Sequence, residues 1–319
     1  MFVTLTLNPA IDQSIVVQGE LSLGHVHAVI AETCTPGGKG VNVAKRLASN
    51  GRPVTAAGLL GADRLAFYEA ALIPMGITCR FLVVPHDTRV NLMITDGQGR
   101  EMKFNRPGFP ELAFDEPALF AYAGTLAQAG TVVILSGSLP ARFPADAYAR
   151  LLRCFREAGC VTVLDTSGPA LTAALREKPD VIKPNRGELE FVLGQSLDSE
   201  EALVSALRSL AQVHEAVIVS DGARGAWFAS RDRVWFASAP VVPCVDTTGA
   251  GDALLGQFCA DYFPRRAITP ELAARAVAAG AAAVEQSGTP VMAQQRVTDL
   301  AREVRICEMT GGPGRVGRR

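Results

Sequence analysis

Several things that would mark a function class are scarce in this 319-residue sequence. Neither charge sign is in excess: 31 basic against 32 acidic residues leave a net charge of −1. No basic surplus advertises a nucleic-acid partner. The four histidines (His25, His27, His86 and His214) show no HExxH-like spacing, which argues against a histidine-held metal. The seven cysteines (Cys34, Cys79, Cys154, Cys160, Cys244, Cys259 and Cys307) form no CxxC pair. An odd, scattered set argues against a disulfide framework or a zinc site. Reduced and mostly buried thiols in a cytoplasmic protein are the expectation. Long hydrophobic runs are missing too. VAAGAAAV (277–284) is too short and alanine-rich to span a bilayer. The start, MFVTLTLNPAID, lacks the basic segment and long apolar stretch of a signal peptide.

What is present is apolar. Hydrophobic residues make up 48% of the chain, enough for a large core and against disorder as a class. Short runs rich in β-branched residues occur at 2–7, 53–60, 131–137, 161–166, 180–185 and 216–221. Amphipathic stretches separate them at 41–50, 64–75, 115–129, 144–158, 187–194 and 199–213, with two further helices expected near 251–262 and 270–286. Apolar strands alternating with helices predict a mostly parallel sheet covered on both faces. Three segments break the rhythm: 11–18, 25–34 and 88–105. The last has a hairpin pattern with Asp96-Gly97 as turn signal. Together they suggest a small antiparallel sheet, inserted early and able to cover a binding site. The glycine-rich tail 310–319 is expected to be disordered, leaving 1–309 as one domain.

Two glycine motifs fail their structural context. The only Gly-Lys pair, Gly38-Lys39, is followed by Gly40 instead of Ser or Thr, and position 33 is threonine. It is not a Walker A loop. A GxGxxG at Gly312, Gly314 and Gly317 sits in the tail with no strand before it.

The segment CVDTTGAGDALLGQF (244–258) carries chemistry. Gly249, Ala250 and Gly251 gather backbone N–H groups at a helix start, a natural anion hole. Asp252, in the first turn, stands beside it. Such donors can stabilise a transferring phosphoryl group while a carboxylate accepts a proton from the attacking hydroxyl. A merely capped helix explains the four residues equally well on their own. Other strand ends break the tie, because ligands of open α/β sheets bind at the carboxyl edge. Those ends carry Asn8 and Asp12, Ser136 and Ser138, Lys183, Asn185 and Glu188, and Ser220 and Gly222. Asp165 reads as a cap. Asn185 and Glu188, three apart at a helix start, suit a hydrated magnesium ion or a capping box.

In order along the chain, TLNPAID, PGGKGVNVA, TRVN, FNRPG, SGSLP, LDTSG, IKPNRGEL and DTTGAGDAL resemble the PfkB (ribokinase-like) carbohydrate kinase family. Within it the pattern is most similar to the phosphosugar kinases, those acting on fructose 1-phosphate or tagatose 6-phosphate. The resemblance implies a three-layer α/β/α domain with a small β lid that often pairs in a homodimer. It implies Asp252 as catalytic base and Gly249, Ala250 and Gly251 as anion hole. Lys183, Asn185, Ser220, Gly222 and Gly225 match the ATP side, and Glu188 completes a magnesium motif. Asp12, Gly38 and Asn42 match the sugar side. Lys39, Arg89, Asn91, Asn105 and Ser138 match positions near the acceptor's own phosphate. Asp246 and Thr248 match a potassium site found in many members. The implied reaction is ATP-dependent phosphorylation of a ketose phosphate, fructose 1-phosphate first. Tagatose 6-phosphate or another sugar as acceptor, or a non-catalytic sugar-phosphate sensor, are the alternatives. The chain departs from the phosphosugar pattern at His25-Val26-His27, at Asp221 and at Thr247-Thr248.

Overall fold

The computed structural model describes residues 1–109, 116–288 and 292–309. The tail 310–319, with its GxGxxG, lies outside the described residues. From the amino end, β1 (Phe2–Thr6) is followed by β2 (Ala10–Val17), β3 (Val29–Gly37), α1 (Lys39–Ser49), β4 (Val54–Gly61), α2 (Leu65–Leu72) and β5 (Ile77–Val84). Next come β6 (Arg89–Thr95) and β7 (Glu101–Phe104). The chain then alternates α3 (Glu116–Leu126), β8 (Val132–Ser136), α4 (Ala147–Glu157), β9 (Val161–Asp165), α5 (Gly168–Leu175), β10 (Val181–Ile182), α6 (Arg186–Leu193), α7 (Glu200–Leu210) and β11 (Ala216–Ser220). Strands β12 (Gly225–Ala229) and β13 (Val234–Ser238) precede α8 (Ala250–Tyr262), α9 (Pro270–Val284), α10 (Gln294–Ala301) and β14 (Ile306–Glu308).

Ten strands form one sheet in the order β14-β13-β12-β11-β10-β9-β8-β1-β4-β5. From β5 across to β11 every neighbour is parallel; β12, β13 and β14 are antiparallel. Successive strand residues point to opposite faces, and each face feeds its own core. On β8, Val132 and Ile134 join the cluster holding Val41 and Leu47 of α1 and Leu255 and Phe258 of α8. Val133 and Leu135 join the other, with Tyr148 and Leu152 of α4 and Leu203 of α7. The chain leaves β1 in one direction along the sheet and later fills the other side from β8. The β1/β8 boundary is therefore the topological switch point, where the crevice for ligands opens.

The lid is a four-stranded sheet in the order β3-β2-β6-β7. Its outer pairs are antiparallel and its central pair, β2 with β6, is parallel. The reason is their origin. β2 follows β1 and β6 follows β5, and both parent strands point to the same edge. Five residues, 96–100, connect β6 to β7. Gly99, not Gly97, takes the left-handed conformation (φ 79°), and the Asp96 carboxylate accepts N–H groups of Gln98 and Arg100, each at 2.9 Å. Strands β5 and β12 to β14 and helices α5 and α10 add to the expected elements. The cysteines depart from expectation: Cys160 and Cys259 are buried, Cys79 and Cys154 are intermediate, and Cys34, Cys244 and Cys307 are exposed. Cys34 lies on the outward-facing β3 and Cys307 on the edge strand β14. Among the described residues, no helix is long and apolar enough to cross a membrane.

Candidate active site

The GGKG segment turns the chain from the lid into α1. A Cβ on Gly37 would lie 2.1 Å from the Asp12 carboxylate, so only glycine lets that side chain in. Gly38 has φ 110°, which side-chain-bearing residues rarely adopt. Helix α1 starts with no side-chain cap and no acid in its first turn. Lys39 stands there against the helix dipole. Two carboxylates hold it: Lys39 Nζ lies 3.2 Å from Asp165 and 3.1 Å from Asp252.

These contacts belong to a ladder of alternating charge. Lys183 Nζ sits 3.0 Å from Asp165, whose side chain is 2% exposed. Asp165 also accepts from Ser136 Oγ at 3.2 Å. The order Lys183, Asp165, Lys39, Asp252 runs across the carboxyl ends of β8 to β10 to the first turn of α8. Burial alone would pull the Lys39 ammonium down; Asp165 and Asp252 outweigh it and hold it above the ordinary lysine range. Burial likewise pushes Asp165 up, and Lys183 and Lys39 together bring it below the usual carboxylate range. Asp165 is thus an ion-pair hub and not the helix cap its position suggested.

Helix α8 begins at Gly249 (φ 78°), again with no side-chain cap. Asp252 is 4% exposed and accepts from Asn42 Nδ2 at 2.9 Å. A Cβ on Gly251 would stand 3.5 Å from Lys183 Nζ, which places that ammonium against the same turn. The expected anion hole, base, Lys39, Asn42 and Lys183 are therefore in one place.

The sugar-side residues gather beside them. Strand register sets Asp12 against Asn91, and Asn91 Nδ2 donates to Asp12 Oδ1 at 2.9 Å. Burial raises the Asp12 carboxyl above its ordinary value. The buried Oδ1 atoms of Asn42 and Asn91 find no hydrogen-bond partner among the described residues. A buried amide oxygen without a donor is costly, and sugar hydroxyls would supply donors. At the switch point, Asn8 Nδ2 donates to Ser138 Oγ at 3.1 Å. Arg89 spends three donors on backbone oxygens of Asn8, Pro9 and Arg106, at 3.1, 3.3 and 2.8 Å. Asn105 is exposed just past β7.

On the other side, Asn185 and Glu188 form a complete capping box on α6, with both hydrogen bonds at 2.8 Å. A lone bridge sets Asn185 against Ser220. Gly222 opens a short turn after β11 with φ 58°. Gly225 has a packing reason of its own, since a Cβ there would lie 2.0 Å from Ala237 O.

Asp246 and Thr248 come together, as expected of a potassium site, but the cation beside them is a lysine. Lys103 Nζ, from β7, lies 2.6 Å from Asp246 Oδ1 and 3.5 Å from Thr248 Oγ1. A potassium ion on that oxygen would meet the ammonium head on, so the side chains as placed do not fit one. Lys103 had no sequence signal, and Asp165 read only as a cap. The signal for Asp165 was its place at the end of β9, level with Ser136 and Lys183.

The pfkB family carbohydrate kinase profile matches residues 5–296. The 1-phosphofructokinase of Xanthomonas campestris pv. campestris is 39% identical over 264 residues, covering 81% of this chain and 83% of that protein. The 1-phosphofructokinase of Rhodobacter capsulatus is 40% identical over 258 residues, covering 79% and 80%. Among solved structures, Escherichia coli phosphofructokinase-2 in complex with potassium superposes with a TM-score of 0.86 at 25% identity, covering 94% of this chain and 98% of that one. Sugar kinases of this family are phosphotransferases with an alcohol acceptor, and they use ATP and magnesium. With the profile over most of its length and such relatives beside it, this chain belongs to the pfkB family of carbohydrate kinases.

Proposed function

We propose that this kinase phosphorylates a ketose phosphate, fructose 1-phosphate at its 6-hydroxyl, giving fructose 1,6-bisphosphate. The observation that carries the reading is Asp252, held at the uncapped start of α8 by Lys39 and Asn42. Bound there, ATP supplies the phosphoryl group and magnesium shields its charge. Asp252 accepts the hydroxyl proton as the acceptor oxygen attacks. The N–H groups of Gly249, Ala250 and Gly251 face the charge that develops on the phosphoryl oxygens. Lys39 and Lys183 add fixed positive charge on either side of Asp165. Asp12, Asn42 and Asn91 orient the sugar. Arg89 and Ser138, at the switch point, stand on the side of the acceptor's own phosphate. Glu188 keeps one carboxylate oxygen for its cap, and the other suits a water on magnesium; no group of three or more metal-ligating side chains occurs among the described residues. That donor set fits an ion that keeps its waters and sits on the phosphates.

The relatives named 1-phosphofructokinase support the choice of acceptor. The decisive experiment is a panel of fructose 1-phosphate, fructose 6-phosphate, tagatose 6-phosphate and the free sugars with ATP and magnesium, reading ADP. Highest kcat/KM on fructose 1-phosphate is expected. Higher kcat/KM on a free sugar would overturn the reading. We also read the lid as a homodimer surface. β3 lies at the sheet edge, and Val29, Ile30, Met102 and Phe104 are exposed large apolar residues on its outer strands. Sedimentation of the wild type and Ile30→Lys tests this; a monomeric wild type would sink it.

A further inference from the structure

Asp246 ties three parts of the molecule together. Its Oδ1 accepts the N–H of Thr248 at 2.9 Å, shaping the loop into Gly249. Its Oδ2 accepts the N–H of Gly288, past the end of α9, at 3.0 Å. Its carboxylate is 1% exposed, and such a charge needs a cation as well as N–H donors. Lys103 provides it, at 2.6 Å, from lid strand β7. Lys103 also pairs with Glu101 of its own strand at 3.1 Å, so it stands between two carboxylates. Burial would raise Asp246, and the hydrogen bond from Lys103 leads the contacts that bring it below the ordinary range.

We propose that Lys103 is a built-in replacement for a monovalent cation at Asp246, so that turnover needs no added potassium. The ammonium supplies the positive charge that orders the loop leading into the α8 start. It comes from the lid, which also carries Asp12 and Asn91, so the sugar-side sheet and the anion-hole loop are joined by one ion pair. Lys103 is a positioning residue: it acts on the phosphoryl site through Asp246 and the Thr248 N–H. The inference rests on the α8 start being the phosphoryl site, as read above.

The test compares potassium with choline at equal ionic strength, which keeps screening constant. Wild-type turnover is expected to agree within about twofold in the two salts. Lys103→Met is expected to fall about tenfold or more in choline, about 1.4 kcal/mol in barrier, and to recover in potassium but not in lithium. Thermal midpoints give a readout free of catalysis: potassium should raise the midpoint of Lys103→Met and leave the wild type unmoved. A wild type stimulated about tenfold by potassium, or a Lys103→Met protein that no cation affects in turnover or midpoint, would overturn the proposal. If no acceptor in the panel turns over, the midpoints still decide it, so the two readings fail separately.

Discussion

The start of α6 is closed by its own side chains, whereas the start of α8 is open. Both lie at the carboxyl edge of the sheet, and Lys183, two residues before Asn185, reaches across to Gly251. In α6, Asn185 and Glu188 each satisfy the other's backbone N–H. In α8, a left-handed glycine stands where the cap would be and offers no side-chain cap. Unsatisfied N–H groups at a helix end seek an acceptor. The difference teaches that the same edge carries one finished helix start and one open start, which we read as the anion site. The donors around them follow: the Lys39 and Lys183 ammonium groups and the Asn42 amide converge on the open one.

The largest effect should come from removing the proposed base at the open start. Asp252→Asn keeps the shape and a hydrogen-bonding oxygen but cannot take up the hydroxyl proton. Turnover is expected to fall by about 10²- to 10⁴-fold, the usual share of a general base, while the Kd for ATP is unchanged. ADP release and equilibrium ATP binding measure the two. A variant with near wild-type turnover would end the assignment of Asp252 and with it the contrast between the two starts.

Lys39→Met tests whether the open start needs the cation opposite it. Loss of one preorganised charge contact at a developing phosphoryl charge costs about 10²-fold in kcat. The thermal midpoint must be read alongside, because Asp165 keeps Lys183 but Asp252 loses the ion pair it makes with Lys39. Unchanged kcat with a raised KM for the sugar phosphate alone would move Lys39 to the acceptor's phosphate.

The parallel strands were legible because they are short apolar runs bounded by polar residues, and Asn8, Ser136, Lys183 and Ser220 fell at their ends as expected. Strand β5, ITCRFLVV, carries Arg80 and half-exposed apolar residues at the sheet edge, so it lacked the buried-strand pattern. Helix α5, GPALTAAL, is apolar over most of its surface and shows little periodicity. The candidate site was legible where it is local, as in GAGD and NRGE. It was hidden where it depends on tertiary pairing. Lys39 meets Asp252 across 213 positions and Lys103 meets Asp246 across 143. No spacing rule connects residues that far apart. Asp165 was misread for the same reason: its partners, Lys39 and Lys183, come from other elements.

The smallest effect separates the two roles of Glu188 at the closed start. Its Oε2 accepts the Asn185 N–H, and a glutamine keeps an acceptor there while losing the charge. Glu188→Ala loses both. If Glu188 also orients a water on magnesium, both variants should need more magnesium for half-maximal turnover, by about threefold or a little more, since a contact through water is worth close to a direct hydrogen bond. Only alanine should lower stability, by about 1 kcal/mol for a lost cap, or about 2–4 °C in the thermal midpoint. Magnesium titrations and melting curves on the two variants resolve this. A glutamine variant with the wild-type magnesium requirement would leave Glu188 as a cap alone. The closed start would then serve only to hold Asn185 beside Ser220, and magnesium would depend on the phosphates and on residues nearer the open one.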